Sequence, residues 1–513
     1  MNGTASRRTF LKTAAAVTAS MTSFSSQAKS ARRKPNLLFL WTDEQRPDTI
    51  DVYGNRKIQT PNLAKLASES AVFRNAYVSQ PVCTPSRATV MTGLWPHQSG
   101  CMENNVALSE KVPVLPEIVG DPDYRTGYFG KWHLGDEIFP QHGFQEWRST
   151  EDGYWKYYRS GRNAEQMSSY TEWLKGLGVK PDTSRGEISR GLSVRLPIEQ
   201  GKPKYLEQEA CDFLRRHHDE PFMLYVNFLQ PHMPFYGPLN GLYRPEDVDL
   251  PTNFNDPLED NEPLSYRIRQ KKFTDGLYQK EFDLTKESGW RKLIAYYWGA
   301  VTQVDRSVGG ILNTLEELGL ADDTIVVYTS DHGDMMGAHH LVEKGYMYQE
   351  AMRVPWMIRA PQLGRKQHII DGHVSHIDLV PTLLDLMQVN SEVGLPGRSL
   401  APALTRGKPA SEPVFIQWNA PGIADLDSNA SGAKRNPSAK LGPSSRAIIA
   451  PDGWKLCLYD NDLNQLFNLS KDPGETTNVY DRPENQPIIR HLDAQIRKWQ
   501  KRVKDPLHLP ARA

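Results

Sequence analysis

The sequence is poor in cysteine, has no net charge and contains no long apolar run. Its 513 residues include four cysteines, none in a CxxC pair or a Cys/His zinc spacing, which argues against a disulfide or zinc scaffold. The 61 basic and 61 acidic side chains cancel, which removes the whole-molecule field that would attract nucleic acid or an anionic membrane. No run approaches the roughly 18 apolar residues of a membrane span. We therefore predict no nucleic acid partner and no membrane span.

Three short apolar runs that end in polar residues predict an α/β fold. The runs cover residues 36–41, 222–228 and 324–328, and apolar side chains recur at helical spacing over residues 291–318. Buried strands alternating with helices are typical of a doubly wound, mostly parallel sheet with helices on both faces. Ligands of such sheets bind beyond the carboxyl ends of the strands. The polar residues expected at that edge are Asp43, His232, Asp331 and His332.

The remaining chain predicts two insertions and a second, smaller unit. Residues 151–204 and 243–286 show no clear period, and we interpret them as insertions over the sheet edge. Residues 421–445 are dense in small and polar residues and predict a long loop. Short strand patterns and a closing helix follow, which indicates a small C-terminal α+β subdomain with an antiparallel sheet. We therefore predict a catalytic domain over residues 32–405 and the subdomain over residues 406–513.

The N-terminus has the pattern of an export signal. Arg7 and Arg8 precede Phe-Leu-Lys and a weakly apolar stretch over residues 13–24, and no acidic residue occurs before Lys34. This pattern predicts a bacterial twin-arginine signal peptide over residues 1–31, and hence a twin-arginine translocase as partner and a periplasmic or extracellular location. The alternative is a basic tail without regular structure.

One motif carries the chemistry around the first cysteine. It reads Cys83-Thr84-Pro85-Ser86-Arg87, and four such fixed residues occur by chance in a chain of this length on the order of one time in a thousand. A short loop leading into a helix N-terminus suits an anionic ester, because free N–H groups and the positive end of the helix dipole face its oxygens. The alternative is an unmodified buried cysteine. We interpret Cys101, Cys211 and Cys457 as small buried hydrophobic residues.

A second motif follows after about forty residues. It runs from Tyr124 to Gly135 and contains Gly130-Lys131-Trp132-His133. Taken alone, this stretch would be an ordinary strand end with solvated side chains. Together the two motifs resemble the signatures of the formylglycine-dependent sulfatases, in the alkaline phosphatase-like superfamily, although Asp123 stands where that family usually has glycine.

The resemblance implies a specific chemistry at Cys83. A maturation enzyme would oxidise this cysteine to formylglycine before the chain folds, and one hydroxyl of the hydrated aldehyde would attack sulfur. Arg87 would lie one helical turn beyond this nucleophile. Lys131 would steady the formylglycine and the sulfate oxygens, and His133 would accept the proton released with sulfate.

The resemblance also implies a metal site and a pair of residues that bind the sulfate group. Asp43, Glu44, Asp331 and His332, with the residue at position 83, would hold a divalent cation, Ca²⁺ first and Mg²⁺ second. Glu44 replaces the more usual Asp or Gln, and the His332 variant resembles the branch of phosphonate monoester and choline-sulfate hydrolases. Helix caps after strands would be the alternative for any one of these acids. His232 and Lys344 would clasp sulfate and protonate the departing oxygen.

Three functions follow from these residues. The first is hydrolysis of sulfate esters on a carbohydrate, since an aromatic and basic segment could form a wall that binds sugars. The second is hydrolysis of phosphonate or phosphate esters at the same site. The third is a non-catalytic protein that binds sulfated glycans with Cys83 unconverted. The predicted partner is a sulfated small molecule or glycan. The wall residues are Tyr154, Trp155, Tyr157, Tyr158, Arg159 and Arg162. The alternative is that these residues belong to a partly buried insertion.

Overall fold

The computed structural model describes Met1 and residues 34–406, 412–420 and 442–510. The predicted signal peptide, apart from Met1, and most of the predicted loop at 421–445 lie outside the described residues. The strands are, in chain order, β1 (Asn36–Asp43), β2 (Ala71–Tyr77), β3 (Arg125–Gly130), β4 (Glu146–Arg148), β5 (Phe222–Pro231), β6 (Leu277–Tyr278), β7 (Phe282–Asp283), β8 (Thr324–Ser330), β9 (Arg353–Arg359), β10 (His368–Ser375), β11 (Val414–Trp418), β12 (Ser445–Ile449), β13 (Trp454–Tyr459) and β14 (Gln465–Asn468). The helices are α1 (Pro61–Ser68), α2 (Cys83–Thr92), α3 (Pro96–Ser99), α4 (Leu115–Val119), α5 (Ser169–Gly176), α6 (Arg190–Ser193), α7 (Lys202–Arg216), α8 (Leu264–Thr274), α9 (Glu287–Glu317), α10 (Gln349–Met352), α11 (Leu379–Leu386), α12 (Ala401–Arg406) and α13 (Gln486–Val503).

The large sheet is mostly parallel, as predicted. Within the described residues its order is β10-β2-β9-β8-β1-β5-β3-β4. Strand β9 runs antiparallel to both of its neighbours, β2 and β8, whereas the other neighbouring strands pair in parallel. The three apolar runs identified in the sequence form the centre of this sheet as β8, β1 and β5.

Both faces of the sheet are covered by helices. Along β1, Leu37 and Phe39 face a core that contains residues of α2 and α11. Leu38 and Leu40 face the opposite core, which is formed with α1, α7 and α9. Alternate side chains of a strand point to opposite faces, so a strand buried on both sides appears as a continuous apolar run. The predicted doubly wound α/β fold is therefore confirmed.

The two segments predicted to be insertions contain short regular elements. Residues 151–204 include α5 and α6, and residues 243–286 include α8 and the hairpin β6–β7. Aromatic side chains of the second insertion, among them Phe254 and Phe273, pack with Trp290 of α9 in a separate apolar core. Short elements of this kind give no recognisable period, because their burial is decided by distant partners rather than by local sequence.

A small antiparallel sheet follows in the C-terminal part of the chain. Its order is β11-β12-β13-β14. One face packs against α13 and the other against Tyr77, Met347 and Met352. The antiparallel subdomain is confirmed, but the sequence did not reveal its first strand, β11. The domain boundary between residues 405 and 406 stays a prediction.

The remaining cysteines are buried, and Cys211 Sγ lies 3.2 Å from the Thr314 hydroxyl oxygen. In the described part of the chain, no helix is long and apolar enough to cross a membrane.

Candidate active site

Adjacent strands bring distant segments to one edge of the large sheet. Because β8, β1 and β5 are neighbours and parallel, Asp331, Asp43 and His232 emerge from the same edge. Ligands of open α/β sheets bind at this carboxyl edge. All three residues are buried, so their polar atoms require partners within the protein or in a ligand.

Cys83 is the first residue of α2 and lies against the ends of β1 and β8. Its Sγ is 3.2 Å from His332 Nε2, 3.8 Å from Asp43 Oδ1 and 3.9 Å from Lys131 Nζ. Burial, followed by the Asp43 carboxylate, raises the pKa of the Cys83 thiol above its usual value. The group at this position is therefore a neutral thiol rather than a reactive thiolate.

Arg87 connects the strand ends from one turn further along α2. Its guanidinium donates to Asp43 Oδ2 at 2.7 Å and to Asp331 Oδ2 at 2.9 Å, with all three side chains buried. It also donates to the Lys131 carbonyl oxygen at 2.8 Å and to Asn227 Oδ1 at 3.1 Å. The other oxygen of each aspartate, Oδ1, lies on the side of His332. Asp331 Oδ1 also accepts the backbone N–H groups of Glu44 at 3.2 Å and His332 at 2.9 Å.

The loop after β3 presents Lys131 and His133. Lys131 Nζ donates to Asp43 Oδ2 at 2.7 Å. His133 has φ of 58°, in the left-handed region, and this loop is held by Glu137, whose carboxylate accepts the backbone N–H groups of Trp132 at 2.8 Å and His133 at 2.6 Å. The glutamate was not identified from the sequence, because an acid in a polar loop carries no signal of its burial.

The imidazole of His133 is oriented by Asn105. Its Nε2 lies 2.9 Å from Asn105 Oδ1, while Nδ1 is buried without a hydrogen-bond partner in the structure. Thr84 donates to the His133 carbonyl oxygen at 2.8 Å and accepts from the Asn105 backbone N–H at 3.2 Å. Burial, with the Lys131 and Arg87 charges, holds the pKa of His133 well below its usual value. The ring is therefore neutral, and Nδ1 can accept a proton.

We expect Glu137→Gln to destabilise the fold in a pH-dependent manner. An amide has one acceptor oxygen for the two N–H groups, and a buried N–H left unpaired costs about 1–3 kcal/mol. Burial raises the pKa of Glu137 to about 7 from a usual 4.5, so the folded protein retains this proton where the unfolded chain has lost it. The wild type therefore loses stability as pH rises from about 4.5 through 7, and its advantage over the variant should shrink by up to about 3 kcal/mol.

Urea unfolding across this pH range measures the effect. The exposed Glu172→Gln on α5 is the matched control and should differ little from wild type at every pH. A wild-type advantage over Glu137→Gln that stayed constant from pH 4.5 to 7 would contradict the predicted titration.

His232 and Lys344 form a second group beside the first. Lys344 Nζ lies 3.1 Å from His232 Nε2 and donates to Glu44 Oε1. His232 Nδ1 lies 2.7 Å from the Met233 carbonyl oxygen. Burial lowers the pKa of His232 to about 3 and that of Lys344 to about 8. At neutral pH the pair is therefore a neutral imidazole beside a mostly protonated amine.

The strand ends provide a donor set that fits a hard divalent cation. One ligand atom from each of Asp43, Cys83, Asp331 and His332 lies within 4.8 Å of the others, and Asp43, Glu44 and His232 form a second such group. Glu44 Oε2 is buried without a hydrogen-bond partner in the structure, which is costly for a carboxylate unless a ligand satisfies it. Carboxylate oxygens with one imidazole suit Ca²⁺ or Mg²⁺ better than a thiophilic metal.

A cavity of about 710 Å³ opens over these residues. This volume falls within the range of roughly 300–1,000 Å³ typical of small-molecule sites. Cys83, Lys131, His133, His232 and Lys344 line one part of it. The residues predicted from the sequence are thus brought together by the fold, and the cavity gives a ligand access to them.

The wall of the cavity differs from the wall expected from the sequence. Tyr154, Trp155 and Tyr157 line it, and the Tyr154 ring lies 4.6 Å from that of His133. Tyr158 instead packs on Phe139. The two predicted arginines, Arg159 and Arg162, do not line the cavity. Both form ion pairs with the carboxylate of buried Asp136.

Residues from distant segments complete the wall and were not identified from the sequence. Arg190 of α6 binds the buried Glu151 and donates to the Tyr154 hydroxyl at 3.0 Å. Arg269 of α8 and Trp418 at the end of β11 also line the cavity. These residues lie in segments without a motif or period, so no sequence signal indicates that they approach Cys83.

The sequence is similar to known sulfatases over most of its length. The profile of the family described as Sulfatase matches residues 35–389. The chain is 30% identical to the uncharacterized sulfatase YidJ of Escherichia coli over 489 residues, which cover 92% of this chain and 88% of that one. It is 26% identical to the N-acetylglucosamine-6-O-sulfatase of Bacteroides thetaiotaomicron, with 95% of this chain and 90% of the relative covered.

The fold is likewise shared with solved structures. The phosphonate monoester hydrolase of Silicibacter pomeroyi superposes with a TM-score of 0.76 at 22% identity, covering 92% of this chain and 96% of that chain. At this identity the likeness shows the fold alone. The sequence matches carry the assignment further: the chain belongs to the sulfatase family and is a sulfuric ester hydrolase.

Proposed function

We propose that the protein hydrolyses sulfate esters of carbohydrates, with a formylglycine made from Cys83 as nucleophile and a divalent cation, Ca²⁺ before Mg²⁺, at the strand ends. The observation that carries this proposal is the position of Cys83, which starts α2 within 4 Å of Asp43, Lys131 and His332. As a buried thiol with a raised pKa it would be a poor nucleophile. A formylglycine hydrate at this position would supply an oxygen nucleophile and allow sulfate to leave without a second attack by water.

The residues around position 83 have separate roles in this proposal. Lys131 faces both position 83 and Asp43, so its ammonium would hold the nucleophile and a sulfate oxygen in place. Arg87 binds and orients Asp43 and Asp331 rather than contacting the substrate. The neutral His133 offers its unpartnered Nδ1 as acceptor for the proton released when sulfate leaves.

His232 and Lys344 would act at the opposite end of the scissile bond. Their nitrogens lie 3.1 Å apart and both line the cavity. Lys344 carries a proton at neutral pH, and it would stabilise or protonate the departing alcohol oxygen, where negative charge develops. His232 would hold a sulfate oxygen and keep Lys344 in position.

Four residues would hold the cation, together with the group at position 83. They are Asp43, Glu44, Asp331 and His332, and the unpartnered Glu44 Oε2 supports direct ligation by the residue that departs from the family pattern. The bound cation would offset the negative charge of the sulfate group. Arg87 and Lys131 bind the Oδ2 side of the aspartates, which orients the Oδ1 side for the metal.

Removal of the metal should abolish turnover and lower the melting temperature. We expect dialysis against a chelator to reduce turnover more than about 100-fold, since charge stabilisation at the reacting centre is lost. A metal present at 100 times its Kd stabilises by about 2.7 kcal/mol, so Ca²⁺ or Mg²⁺ should restore both properties. Asp331→Asn should lose this response. Asp305→Asn should keep it, because Asp305 is a buried aspartate of α9 that accepts hydrogen bonds from Asn62 and Leu63 of α1, away from the strand ends. Full turnover after chelation would contradict the metal site.

A carbohydrate is the substrate class best supported. The cavity is much larger than a sulfate group, and aromatic side chains such as Tyr154 and Trp155 line it, which suits the apolar faces of sugar rings. The relative named N-acetylglucosamine-6-O-sulfatase aligns over nearly all of the chain.

The rates of hydrolysis of a sulfate ester and a phosphonate ester test the proposed reaction. The mass of the peptide that contains residue 83 tests the proposed nucleophile. Protein made in a host with a sulfatase-maturation enzyme should release sulfate from 4-nitrophenyl sulfate much faster than it hydrolyses a phenylphosphonate ester. Mass spectrometry of the peptide with residue 83 should show the aldehyde in place of the thiol. Faster phosphonate hydrolysis would favour the alternative esterase. An unchanged thiol in protein from the native host, with binding of sulfated glycans but no turnover, would favour a binding protein.

The N-terminal motif adds a proposal about export. Formylglycine would have to form in the cytoplasm before folding, and a twin-arginine translocase would then carry the folded enzyme to the periplasm or beyond. Replacing Arg7 and Arg8 by Lys should keep the enzyme in the cytoplasm, as cell fractionation would show.

A further inference from the structure

Arg269 places a guanidinium on the cavity wall without a carboxylate partner. Its Nη1 donates to the Lys344 carbonyl oxygen at 3.4 Å, and its guanidinium carbon lies 5.1 Å from the centre of the Tyr346 ring. On the same helix, Arg267 and Lys271 form ion pairs with Asp260 and Asp275. Among the residues that the structure describes, no carboxylate oxygen lies within 4 Å of Arg269. The guanidinium is therefore held in place by neutral partners. The Glu343 carboxylate acts on it from beyond 4 Å, so no direct ion pair occupies its N–H groups.

Three of the acidic residues on the same wall have partners within the protein. Glu151 is bound by Arg190 and Lys202. Glu187 is bound by Arg185 at 2.8 Å. Glu343, the acid next to Lys344 in the chain, accepts a hydrogen bond from the Tyr278 hydroxyl at 2.6 Å. The ion pairs of Glu151 and Glu187 reduce the repulsion that an anionic ligand would meet at the wall.

Trp418 and the Arg269 guanidinium both lie close to Gly345. Gly345 has φ of 86°, and a Cβ built on it would lie 2.9 Å from Trp418 Cη2 and 3.4 Å from Arg269 Nη1. Glycine thus allows the indole and the guanidinium to approach the same point of the chain, next to Lys344. An aromatic surface and a cation are thereby brought together at the residue that would act on the leaving oxygen.

We propose that Arg269 and Trp418 form a subsite for a second anionic group, a carboxylate or a second sulfate, on the saccharide that carries the scissile sulfate ester. A guanidinium pairs with either oxyanion through two parallel hydrogen bonds. The indole face packs on the C–H face of a sugar ring. Since the subsite adjoins Lys344, it would bind the saccharide, which is the departing alcohol, close to the oxygen that leaves. This inference rests on the proposed function, because it takes the sulfate ester to react at position 83.

Steady-state kinetics with matched substrates test the subsite. The substrates are a neutral sugar with one sulfate, the same sugar with two sulfates, a sulfated disaccharide that contains a uronic acid, and 4-nitrophenyl sulfate. The variants are Arg269→Gln, Arg269→Lys and, as control, Lys272→Gln, which removes one exposed charge from the same helix outside the cavity lining. The quantity compared is the ratio of kcat/KM for a dianionic substrate to kcat/KM for the monosulfated sugar, whose only charge is its sulfate ester.

The wild type should prefer at least one dianionic substrate. Arg269→Gln should lower the ratio about 10- to 100-fold, mainly through KM, as expected for loss of a charge-assisted pair of hydrogen bonds. Arg269→Lys should lower it less, and Lys272→Gln should leave it at the wild-type value. Preference for the disulfated sugar would identify sulfate as the second group, and preference for the uronate would identify a carboxylate. A wild type that favours the monosulfated sugar would overturn the subsite. So would a kcat/KM ratio that is unchanged in Arg269→Gln.

A binding measurement separates failure of the subsite from failure of the proposed function. Calorimetric titration of Cys83→Ala with the preferred dianionic saccharide needs no turnover, and adding Arg269→Gln should weaken binding by the same 10- to 100-fold, about the loss of one charge-assisted contact. Equal affinity of the two proteins would contradict the subsite even where sulfate is released. Absence of sulfate release from every substrate, including 4-nitrophenyl sulfate, would contradict the proposed function and not the binding result.

Discussion

Cys83→Ala should reduce sulfate-ester turnover by about 10⁴-fold or more while leaving the fold intact. The variant has no atom at position 83 that can be converted to an aldehyde or attack sulfur, and loss of a covalent nucleophile typically costs this much or more. The surrounding charges remain paired, since Arg87 and Lys131 still bind Asp43. Deleting one buried sulfur should cost only about 1 kcal/mol of stability. Turnover of 4-nitrophenyl sulfate and urea unfolding measure the two effects.

Cys457→Ala is the matched control for this substitution. Cys457 is also fully buried, but it lies in β13 of the small sheet and packs with Ile416 and Ala447. It should lose a similar amount of stability and keep wild-type turnover. If Cys83→Ala kept more than about one hundredth of the wild-type rate, a formylglycine at this position would not be the nucleophile.

Arg87→Met should cost about 3–5 kcal/mol of stability and remove turnover. The guanidinium is fully buried and binds Asp43 and Asp331 at 2.7 and 2.9 Å. Removing one member of a buried ion pair leaves its partners charged and uncompensated, which accounts for a loss of this size. The two aspartates would then repel each other or take up a proton, and either change disturbs the proposed metal ligands. Urea unfolding measures the stability, and sulfate release per folded molecule measures the activity.

Arg359→Met separates the two effects. Arg359 is buried at the end of β9, where it pairs with Glu69 at 2.9 Å and Glu316 at 3.3 Å. It lies opposite Val326, near the start of β8, whereas Asp331 follows the end of that strand. This variant should therefore lose stability but retain wild-type turnover per folded molecule. Equal turnover in Arg87→Met would show that Arg87 supports the fold without supporting the site.

Much of the fold could be predicted because its central strands are buried on both faces. Such strands must be apolar at every position, so β1, β5 and β8 appear as continuous apolar runs that end where the sheet meets the cavity. Helix α9 could be predicted for the corresponding reason, since its apolar residues repeat with the helical period. Strand β11, Val-Phe-Ile-Gln-Trp, has the β-branched and aromatic residues of a strand, but it was missed because the period of so short an apolar run does not separate a strand from a buried helix segment.

The site was predictable where motifs are local and not where it depends on long-range contacts. Cys83 and Arg87 are four residues apart on one helix, so a short pattern identifies both. Lys131 and His133 lie in a second local pattern. Glu137 and Asn105 orient His133 from different loops, and neither position has a pattern that reveals this contact.

The sequence by itself determined the α/β class, the family and the residues proposed to react, since apolar periodicity and closely spaced motifs record local requirements. Only the tertiary structure decided which oxygens of Asp43 and Asp331 are bound by Arg87 and which face the proposed cation site. It also decided that Arg269 and Trp418, from a helix and a strand about 150 residues apart in the chain, meet at Gly345 beside Lys344. Such contacts depend on how distant segments pack, and packing geometry is not recorded in the spacing of residues along the chain.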